Sequence, residues 1–149
     1  MARAETELNF NWAGKTVGLL GLAFKQDTND IRNSAALGVT EFLLAHNVKQ
    51  VKAYDPVAGN NFMKYFAGNK DAGKINLAAA EVEAITGADA LIIATDWPQF
   101  RGLYGLIIEK LPKGAIVMDG RRLLAQKYFE LARAGYNIVA VGSPTIKIN

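Results

Sequence analysis

Five short segments of the chain are rich in hydrophobic residues and are separated by more polar stretches. One of them, VKAYD (51–55), alternates between apolar and polar residues, so we predict a strand with one wetter face that lies nearer an edge of its sheet. The other four are continuously apolar, which is typical of parallel strands covered on both faces. These four are TVGLLGLAF (16–24), ALIIAT (90–95), AIVMD (115–119) and NIVAVG (137–142).

Helical periodicity fills the intervals between the apolar segments. Ala36, Val39 and Leu43 share one face of a predicted helix. Ser34 is suited to cap the start of this helix, and Asn47 tolerates the left-handed turn that ends it. Further helices are predicted at 79–87 and 102–110, at 124–131 with Gly135 as its terminator, and, more weakly, at 60–67.

The alternation of strands and helices predicts an α/β fold. We expect a Rossmann-like three-layer α/β/α sandwich with a mostly parallel sheet of five or six strands and right-handed crossovers. Ligands of such sheets bind outside the carboxyl ends of the strands, where the winding direction reverses. We assign residues 14–149 to this domain. Residues 1–13 show no clear period and are expected to be a lead or the end of an element upstream.

Composition narrows the function classes. The chain has 149 residues, the usual length of one domain, and half of them are hydrophobic, as in a globular protein. It contains no cysteine and one histidine, which excludes disulfides, thiolate metal sites and a cysteine nucleophile. No pair of carboxylates and no Ser/His/Asp set meets at one strand end. We therefore predict neither a metal site nor a catalytic residue in this chain.

The charge and hydropathy of the chain limit the classes of partner that it is expected to bind. The net charge is +3, and the lysines and arginines are scattered, so no nucleic-acid partner is indicated, whereas small anionic ligands are compatible. No apolar run approaches the roughly 18 residues of a membrane span, and the opening MARAETELNF lacks the apolar core of a signal peptide. We predict a cytoplasmic protein that does not contact a membrane.

The loop after the first strand is unusual in length and content. A dinucleotide-binding turn requires the pattern G-x-G-x-x-G at this point, and the chain lacks it. Fourteen residues, Gly21 to Ser34, separate strand from helix, whereas about 2–6 are typical. Lys25 and Arg32 in this loop are suited to phosphate, and its Asp, Thr and Asn side chains can bond back to the loop backbone. A plain polar surface loop is the alternative.

Five motifs in order resemble the C-terminal domain of the UDP-glucose/GDP-mannose dehydrogenase family. The resemblance covers about residues 14–142, and because the motifs share their order and approximate spacing it is more specific than any single match. The motifs are GLAFKQDTNDIRNSAA (21–36), AYDP (53–56), ADALIIATDWPQF (88–100), MDGRRLL (118–124) and AGYNIVAVG (134–142).

The resemblance implies a function for the domain within a larger enzyme. Members of the family oxidise the C6 alcohol of a sugar nucleotide to a carboxylate with NAD. An N-terminal domain binds the NAD, central helices form a dimer, and the C-terminal domain holds the nucleotide half of the UDP-sugar. The family's GGSC-type cysteine motif is absent here, so the chain alone is expected to be inactive. A homo-oligomer is a possible assembly.

The resemblance also assigns four site residues. Phe24 and Lys25 match positions that contact the sugar nucleotide, and Arg121 matches a nucleotide-binding arginine. Arg32 matches a residue that reaches NAD bound on another domain. The alternatives are ordinary core packing for Phe24, a solvated charge for Lys25, and an ion pair with Asp30 or Asp27 for Arg32.

For several further residues, a structural role is the plainer expectation than a role in ligand binding. Asp55 occupies the place of a ribose-binding acid, but an Asp-Pro turn is the plainer interpretation. Asp119 is expected to cap the helix that follows Arg121 or to orient Arg121, with capping the plainer interpretation, and Asp96 is expected to act as a cap. Trp97 is expected to shield a nucleotide, to pack against a neighbouring domain, or simply to pack within this chain. Arg122 is expected on a helix facing the surface, and His46 near a helix end at the surface.

Two differences from the family pattern leave the preferred substrate open, and two rival functions remain. The chain reads RNSAA where the family commonly has proline after the serine, and ND where it has DD, which puts in doubt the preferred sugar nucleotide. One rival is a stand-alone regulatory module that binds a nucleotide or coenzyme A. The other is a structural fragment that docks on other subunits.

Overall fold

Six parallel strands form one sheet at the centre of the protein. The computed structural model describes residues 1–149, and the strand order is β3-β2-β1-β4-β5-β6. The strands are β1 (Thr16–Leu20), β2 (Gln50–Tyr54), β3 (Ile75–Leu77), β4 (Ala90–Ile93), β5 (Ile116–Asp119) and β6 (Asn137–Ala140). The helices are α1 (Ala2–Leu8), α2 (Ala35–Ala45), α3 (Gly59–Phe66), α4 (Glu81–Ile85), α5 (Tyr104–Lys110) and α6 (Tyr128–Arg133).

Two separate hydrophobic clusters cover the two faces of the sheet. The first contains Ala4 of α1, Leu43 of α2 and Phe62 of α3, and the second contains residues of α4, α5 and α6. This arrangement confirms the predicted α/β/α sandwich. The winding direction reverses between β1 and β4, so the carboxyl ends of these strands mark the place where a ligand is expected. No helix is both long enough and apolar enough to cross a membrane.

The first strand is shorter than predicted. β1 ends at Leu20, and although residues 21–23 are buried, they do not continue the sheet. Gly21 has a φ of +91°, which turns the backbone out of the strand. β2 has the predicted alternation and lies second from the edge, beside β3. β3 was not predicted, because its three residues include only one buried side chain and are too few for a pattern.

The helices follow the prediction, with shifted ends. Ser34 caps α2 by accepting a hydrogen bond from the Ala36 N–H, and Asn47 has the expected left-handed φ of 55°. The last helix begins at Tyr128, later than predicted, after a 3-10 turn at Ala125–Lys127. Helix α1 was not predicted, because Ala4 is its only buried residue. The division at residue 14 stays a prediction.

Candidate functional site

The carboxyl edge of the sheet contains a crevice of about 520 Å³. Its floor is a row of three side chains, Ile92, Met118 and Val139, which the strand register aligns across β4, β5 and β6. Arg3 and Arg121 are the cationic residues of its lining. The crevice therefore combines an apolar floor with positive charge, in the size range of small-molecule sites.

Asp55 shapes the turn that follows β2. Its side chain is almost fully buried, and its Oδ1 atom accepts hydrogen bonds from the N–H groups of Val57 and Ala58, each at 2.9 Å. Such bonds between an aspartate and the amides two and three residues ahead are typical of an Asx turn. The predicted Asp-Pro turn is confirmed.

The other carboxylate oxygen of Asp55 connects the turn after β2 to the loops that follow β1 and β4. Oδ2 accepts hydrogen bonds from the N–H groups of Leu22 and Ala23, at 2.8 and 3.0 Å, and from Nε1 of Trp97 at 3.1 Å. Trp97 is thus buried by packing within this chain and is not a shield for a ligand. The carboxylate of β2 fixes the loops that follow β1 and β4.

These hydrogen bonds do not fit the usual dinucleotide site of a Rossmann fold. In that site the amides after the first strand hold the pyrophosphate, and an acid at the end of the second strand holds the ribose. Here the amides of Leu22 and Ala23 and the carboxylate of Asp55 bind each other. The residues of this chain therefore do not provide a glycine-turn site for NAD.

The long loop after β1 is folded tightly on itself. The Thr95 hydroxyl donates to the Ala23 carbonyl at 2.7 Å, and the Phe24 N–H donates to the Asp30 carbonyl at 2.7 Å. Further bonds from the Asp30 N–H to Thr28 Oγ1 and from the Arg32 N–H to Asp30 Oδ1 confirm the predicted side-chain contacts within the loop. These bonds hold the loop to its own backbone and to Thr95, the second residue after β4.

Phe24 and Lys25 project from this ordered loop. Phe24 is 52% exposed, so the alternative of ordinary core packing is wrong. Lys25 is exposed and forms neither a hydrogen bond nor an ion pair with the rest of the chain. Both side chains are available at the carboxyl edge, but neither lines the crevice described above.

Arg32 forms an ion pair with Asp30, one of the two alternatives weighed for it. Its Nη2 lies 2.7 Å from Oδ2 of Asp30, and its Nε donates to Oδ1 at 3.0 Å. The Arg32 guanidinium holds the pKa of the Asp30 carboxyl at about 2, mainly through the side-chain hydrogen bonds. Arg32 lines a separate cavity, beside Lys64 and Tyr65 of α3.

The lowered pKa of Asp30 gives a test of this pair. The charged pair contributes its stabilisation above the ordinary carboxyl pKa of 3.8, and the contribution is lost as the pH falls through about 2. In an NMR titration of the Asp30 carboxyl carbon, we expect a midpoint near 2 for the wild type. For Arg32→Ala we expect a higher midpoint that stays below 3.8, because the backbone N–H of residue 32 still donates to Asp30 Oδ1. A wild-type midpoint near 3.8 would show that the pair does not form in solution.

Asp119 caps a turn after β5 and not a helix, because the next α-helix begins only at Tyr128. Its carboxylate accepts hydrogen bonds from the N–H groups of Arg121 and Leu123, each at 3.2 Å, and of Leu124 at 2.8 Å. The Tyr128 hydroxyl also donates to it, at 2.9 Å. Burial and this hydrogen bond raise the pKa of the Tyr128 hydroxyl well above its usual value. The turn that carries Arg121 is therefore held by a fully buried carboxylate.

Arg121 and Arg122 differ in their surroundings. The Arg121 guanidinium donates no hydrogen bond within the chain and lines both the apolar crevice and a polar cavity beside it. Arg122 does not lie on a helix, so that prediction is wrong. It adopts a left-handed φ of 58° in the turn, and its Nη1 donates to the Val141 carbonyl at 2.9 Å. Only Arg121 is free to bind a ligand.

Of two further predictions, the one for Asp96 is wrong and the one for His46 is confirmed. Asp96 does not cap a turn, because both of its carboxylate oxygens accept hydrogen bonds from Arg101, at 2.9 and 3.0 Å. His46 lies at the exposed end of α2, as predicted, and stacks on Phe42 with ring centroids 3.8 Å apart. The structure contains no group of three or more His, Cys, Asp or Glu side chains that could hold a metal ion.

The predicted site residues thus lie at one edge of the sheet but in different cavities. Arg121 lines the apolar crevice, Arg32 lines the cavity beside α3, and Phe24 and Lys25 stand on the loop between β1 and α2. The crevice floor was missed by the sequence analysis. Its three apolar residues are visible in the sequence of the three strands. Only the strand register, however, shows that they lie side by side.

Comparison with models of protein families shows to which family this chain is related. The UDP binding domain of the UDP-glucose/GDP-mannose dehydrogenase family matches residues 18–126. The chain belongs to this family. The matched range begins in β1 and includes the loop with Lys25 and Arg32 and the turn with Arg121, whereas β6 lies beyond it.

Known members of the family are longer than this chain. A UDP-glucose 6-dehydrogenase of Pseudomonas aeruginosa is 35% identical over 133 residues, which are 89% of this chain and 29% of that protein. One of Bacillus subtilis is 33% identical over 134 residues, 90% of this chain and 27% of that protein. The chain spans less than a third of the length of these relatives.

Solved structures of family members share the fold. The structure of a UDP-glucose dehydrogenase from Pyrobaculum islandicum matches with a TM-score of 0.65 and 29% identity, over 95% of this chain and 28% of that one. The UDP-D-ManNAc dehydrogenase of Pyrococcus horikoshii matches with a TM-score of 0.68 and 26% identity, over the same shares. The family's fold therefore extends over almost the whole chain.

Proposed function

We propose that this chain binds the UDP half of a UDP-sugar through Phe24, Lys25 and Arg121. In this proposal the chain is one domain of an NAD-dependent enzyme like UDP-glucose 6-dehydrogenase, which oxidises the C6 alcohol of the sugar to a carboxylate. The observation that carries the proposal is the match to a UDP binding domain over residues 18–126, which include all three side chains.

The chemistry of the three side chains supports this ligand. The Arg121 guanidinium has no partner within the chain, and a planar guanidinium can bind a phosphate with two parallel hydrogen bonds. The Lys25 ammonium is a compact charge suited to a second phosphate oxygen. The exposed Phe24 ring offers an apolar face to the nucleotide. Because the loop of Phe24 and Lys25 is already ordered, less freedom is lost on binding.

The contribution of this chain to catalysis is positional. The chain contains no cysteine and presents no acid–base pair, so we expect it to have no dehydrogenase activity by itself. Binding of the remote diphosphate fixes the sugar at the reacting centre, which raises the rate without chemistry in this domain.

NAD is assigned to another domain of the parent enzyme. The amides and the acid of the usual dinucleotide site are engaged with each other in this chain, which favours a binding site elsewhere. Arg32 is proposed to reach that NAD across an interdomain cleft, by exchanging or sharing its bond to Asp30. The partners proposed for this chain are the UDP-sugar and the NAD-binding and dimerisation domains of the parent enzyme. The proposed assembly is a homo-oligomer, and the proposed location is the cytoplasm.

Calorimetric titration with UDP, NAD and coenzyme A tests the proposed ligand. Charge-assisted hydrogen bonds contribute about 1.5–3 kcal/mol each, so Lys25→Ala and Arg121→Ala should each weaken UDP binding about tenfold or more. We expect no measurable binding of NAD or coenzyme A to the same chain.

Two matched variants control for the loss of charge. Lys49→Ala and Arg133→Ala each remove an exposed cation near the amino ends of β2 and β6, at the opposite edge of the sheet, and should leave UDP affinity unchanged. Preference for NAD or coenzyme A would overturn the proposal in favour of a regulatory module. Absence of all binding would favour a structural domain or a site completed by other domains.

A further inference from the structure

The turn between β5 and the following 3-10 turn has a fixed backbone. The Gly120 N–H donates to the Ile93 carbonyl at 3.0 Å, and a Cβ atom on Gly120 would lie 2.9 Å from that carbonyl oxygen. Asp119 binds the N–H groups of Arg121 and Leu123. Arg122 completes the turn in the left-handed region, which long side chains seldom adopt. The free-energy cost of this conformation at Arg122 can be offset by contacts of its own side chain, in addition to the bonds that Asp119 makes.

The side chain of Arg122 is anchored to the segment after β6. Its Nη1 donates to the Val141 carbonyl at 2.9 Å and to the Ser143 hydroxyl. Arg122 thus uses its guanidinium to bind this segment and does not line the crevice that Arg121 lines. Two adjacent arginines are thereby separated into one that is anchored and one that is free.

The anchoring segment is itself held from its other side. Arg3 of α1 donates to the Ala140 carbonyl, to the Ser143 carbonyl and to the Thr145 hydroxyl, each at 2.7 Å. The Ile146 N–H also donates back to the Ile138 carbonyl of β6 at 3.0 Å. The segment is thus a fixed support for Arg122 and not a loose tail.

We propose that Arg122 is a positioning residue for Arg121. Its bonds to Val141 and Ser143 hold the left-handed turn, and the turn holds the free guanidinium of Arg121 at the crevice. This inference rests on the proposed function, in which Arg121 binds a phosphate of UDP. Without the anchor, Arg121 samples more conformations, and ordering it on binding costs affinity.

Backbone dynamics test the positioning without any ligand. We expect amide NMR order parameters near about 0.85 for Gly120–Leu123 in the wild type, falling below about 0.6 in Arg122→Ala. Arg101→Ala is the matched control, because Arg101 lies along the same polar cavity but is bonded to Asp96 and not to the turn. Unchanged order parameters in Arg122→Ala would overturn the proposal.

A double-mutant cycle with UDP tests the consequence for binding. Arg122→Ala should weaken UDP binding about three- to tenfold in the wild type and not at all in an Arg121→Ala background. Ser143→Ala removes one anchor and should cause a smaller loss of the same kind. Equal losses in both backgrounds, or an equal loss in Arg101→Ala, would overturn the proposal, since Arg122 would then act through its own charge.

The two measurements separate this inference from the proposed function. If the wild-type chain does not bind UDP, the function fails in this chain, whereas the order parameters still decide whether Arg122 fixes the turn. If UDP binds and Arg121→Ala weakens it, but Arg122→Ala alters neither quantity, the function stands and the positioning role is wrong.

Discussion

Replacement of Asp55 by alanine should lower the free energy of unfolding by about 3–5 kcal/mol. The Asp55 carboxylate accepts hydrogen bonds from four backbone amides and from the indole of Trp97. It is almost fully buried, so the alanine variant leaves several donors without a partner, and each such buried donor costs about 1–3 kcal/mol. Urea denaturation followed by circular dichroism measures the change.

Asp55→Asn separates the charge and acceptor function of this side chain from its size. One carboxylate oxygen becomes an NH₂ group that faces N–H donors, so we expect a loss of at least about 2 kcal/mol. The control is Asp71→Asn, which weakens a surface pair with Lys74 and should cost about 0–1 kcal/mol. If Asp55→Ala and the wild type differ by less than about 1 kcal/mol, water replaces the carboxylate and the three loops do not depend on it.

Gly21→Ala should lower the free energy of unfolding by about 2–5 kcal/mol. The φ of +91° at Gly21 disfavours any side chain, which costs about 1–2 kcal/mol. A Cβ atom would also lie 2.5 Å from both the backbone nitrogen and the Cβ atom of Thr95, and such overpacking costs about 1–3 kcal/mol. The loop after β1 cannot move away freely, because the Thr95 hydroxyl is bonded to the Ala23 carbonyl.

Gly38→Ala is the matched control for this substitution. Gly38 lies within α2 and has no atom within 4 Å of its would-be Cβ, so alanine fits and should stabilise the protein by about 0.5–1 kcal/mol. The same chemical change is thus expected to have opposite signs at the two positions. A Gly21→Ala variant as stable as the wild type would mean that the loop start can relax, and that its close contact with Thr95 does not determine the conformation of the loop.

Both substitutions bear on the proposed site as well as on stability. Gly21 and Asp55 fix the start of the loop that carries Phe24 and Lys25. They contact no proposed ligand group themselves. Their role connects packing to function, because a loop that is ordered before the ligand arrives presents its cation and its aromatic ring at a lower entropic cost.

The sequence by itself determined the layered α/β architecture and the edge of the sheet at which a ligand is expected. Four continuous apolar segments and one alternating segment identified five of the six strands, because strands buried on both faces need apolar residues throughout and a strand with one wetter face needs them at every second position. Local signals identified the Ser34 cap and the left-handed Asn47, because each depends on the conformation of neighbouring residues. The lack of G-x-G-x-x-G and the length of the loop indicated a ligand mode other than the usual dinucleotide turn.

Only the tertiary structure decided which side chains engage each other. Asp55 binds amides 32 and 33 residues earlier in the chain and Trp97 42 residues later, and Arg122 binds a carbonyl 19 residues later. These partners meet because parallel strands bring distant carboxyl ends to one edge, which no local pattern encodes. Strand register likewise created the crevice floor. The residue types could be read in the chain, but their pairing depends on contacts that form only in the folded sheet.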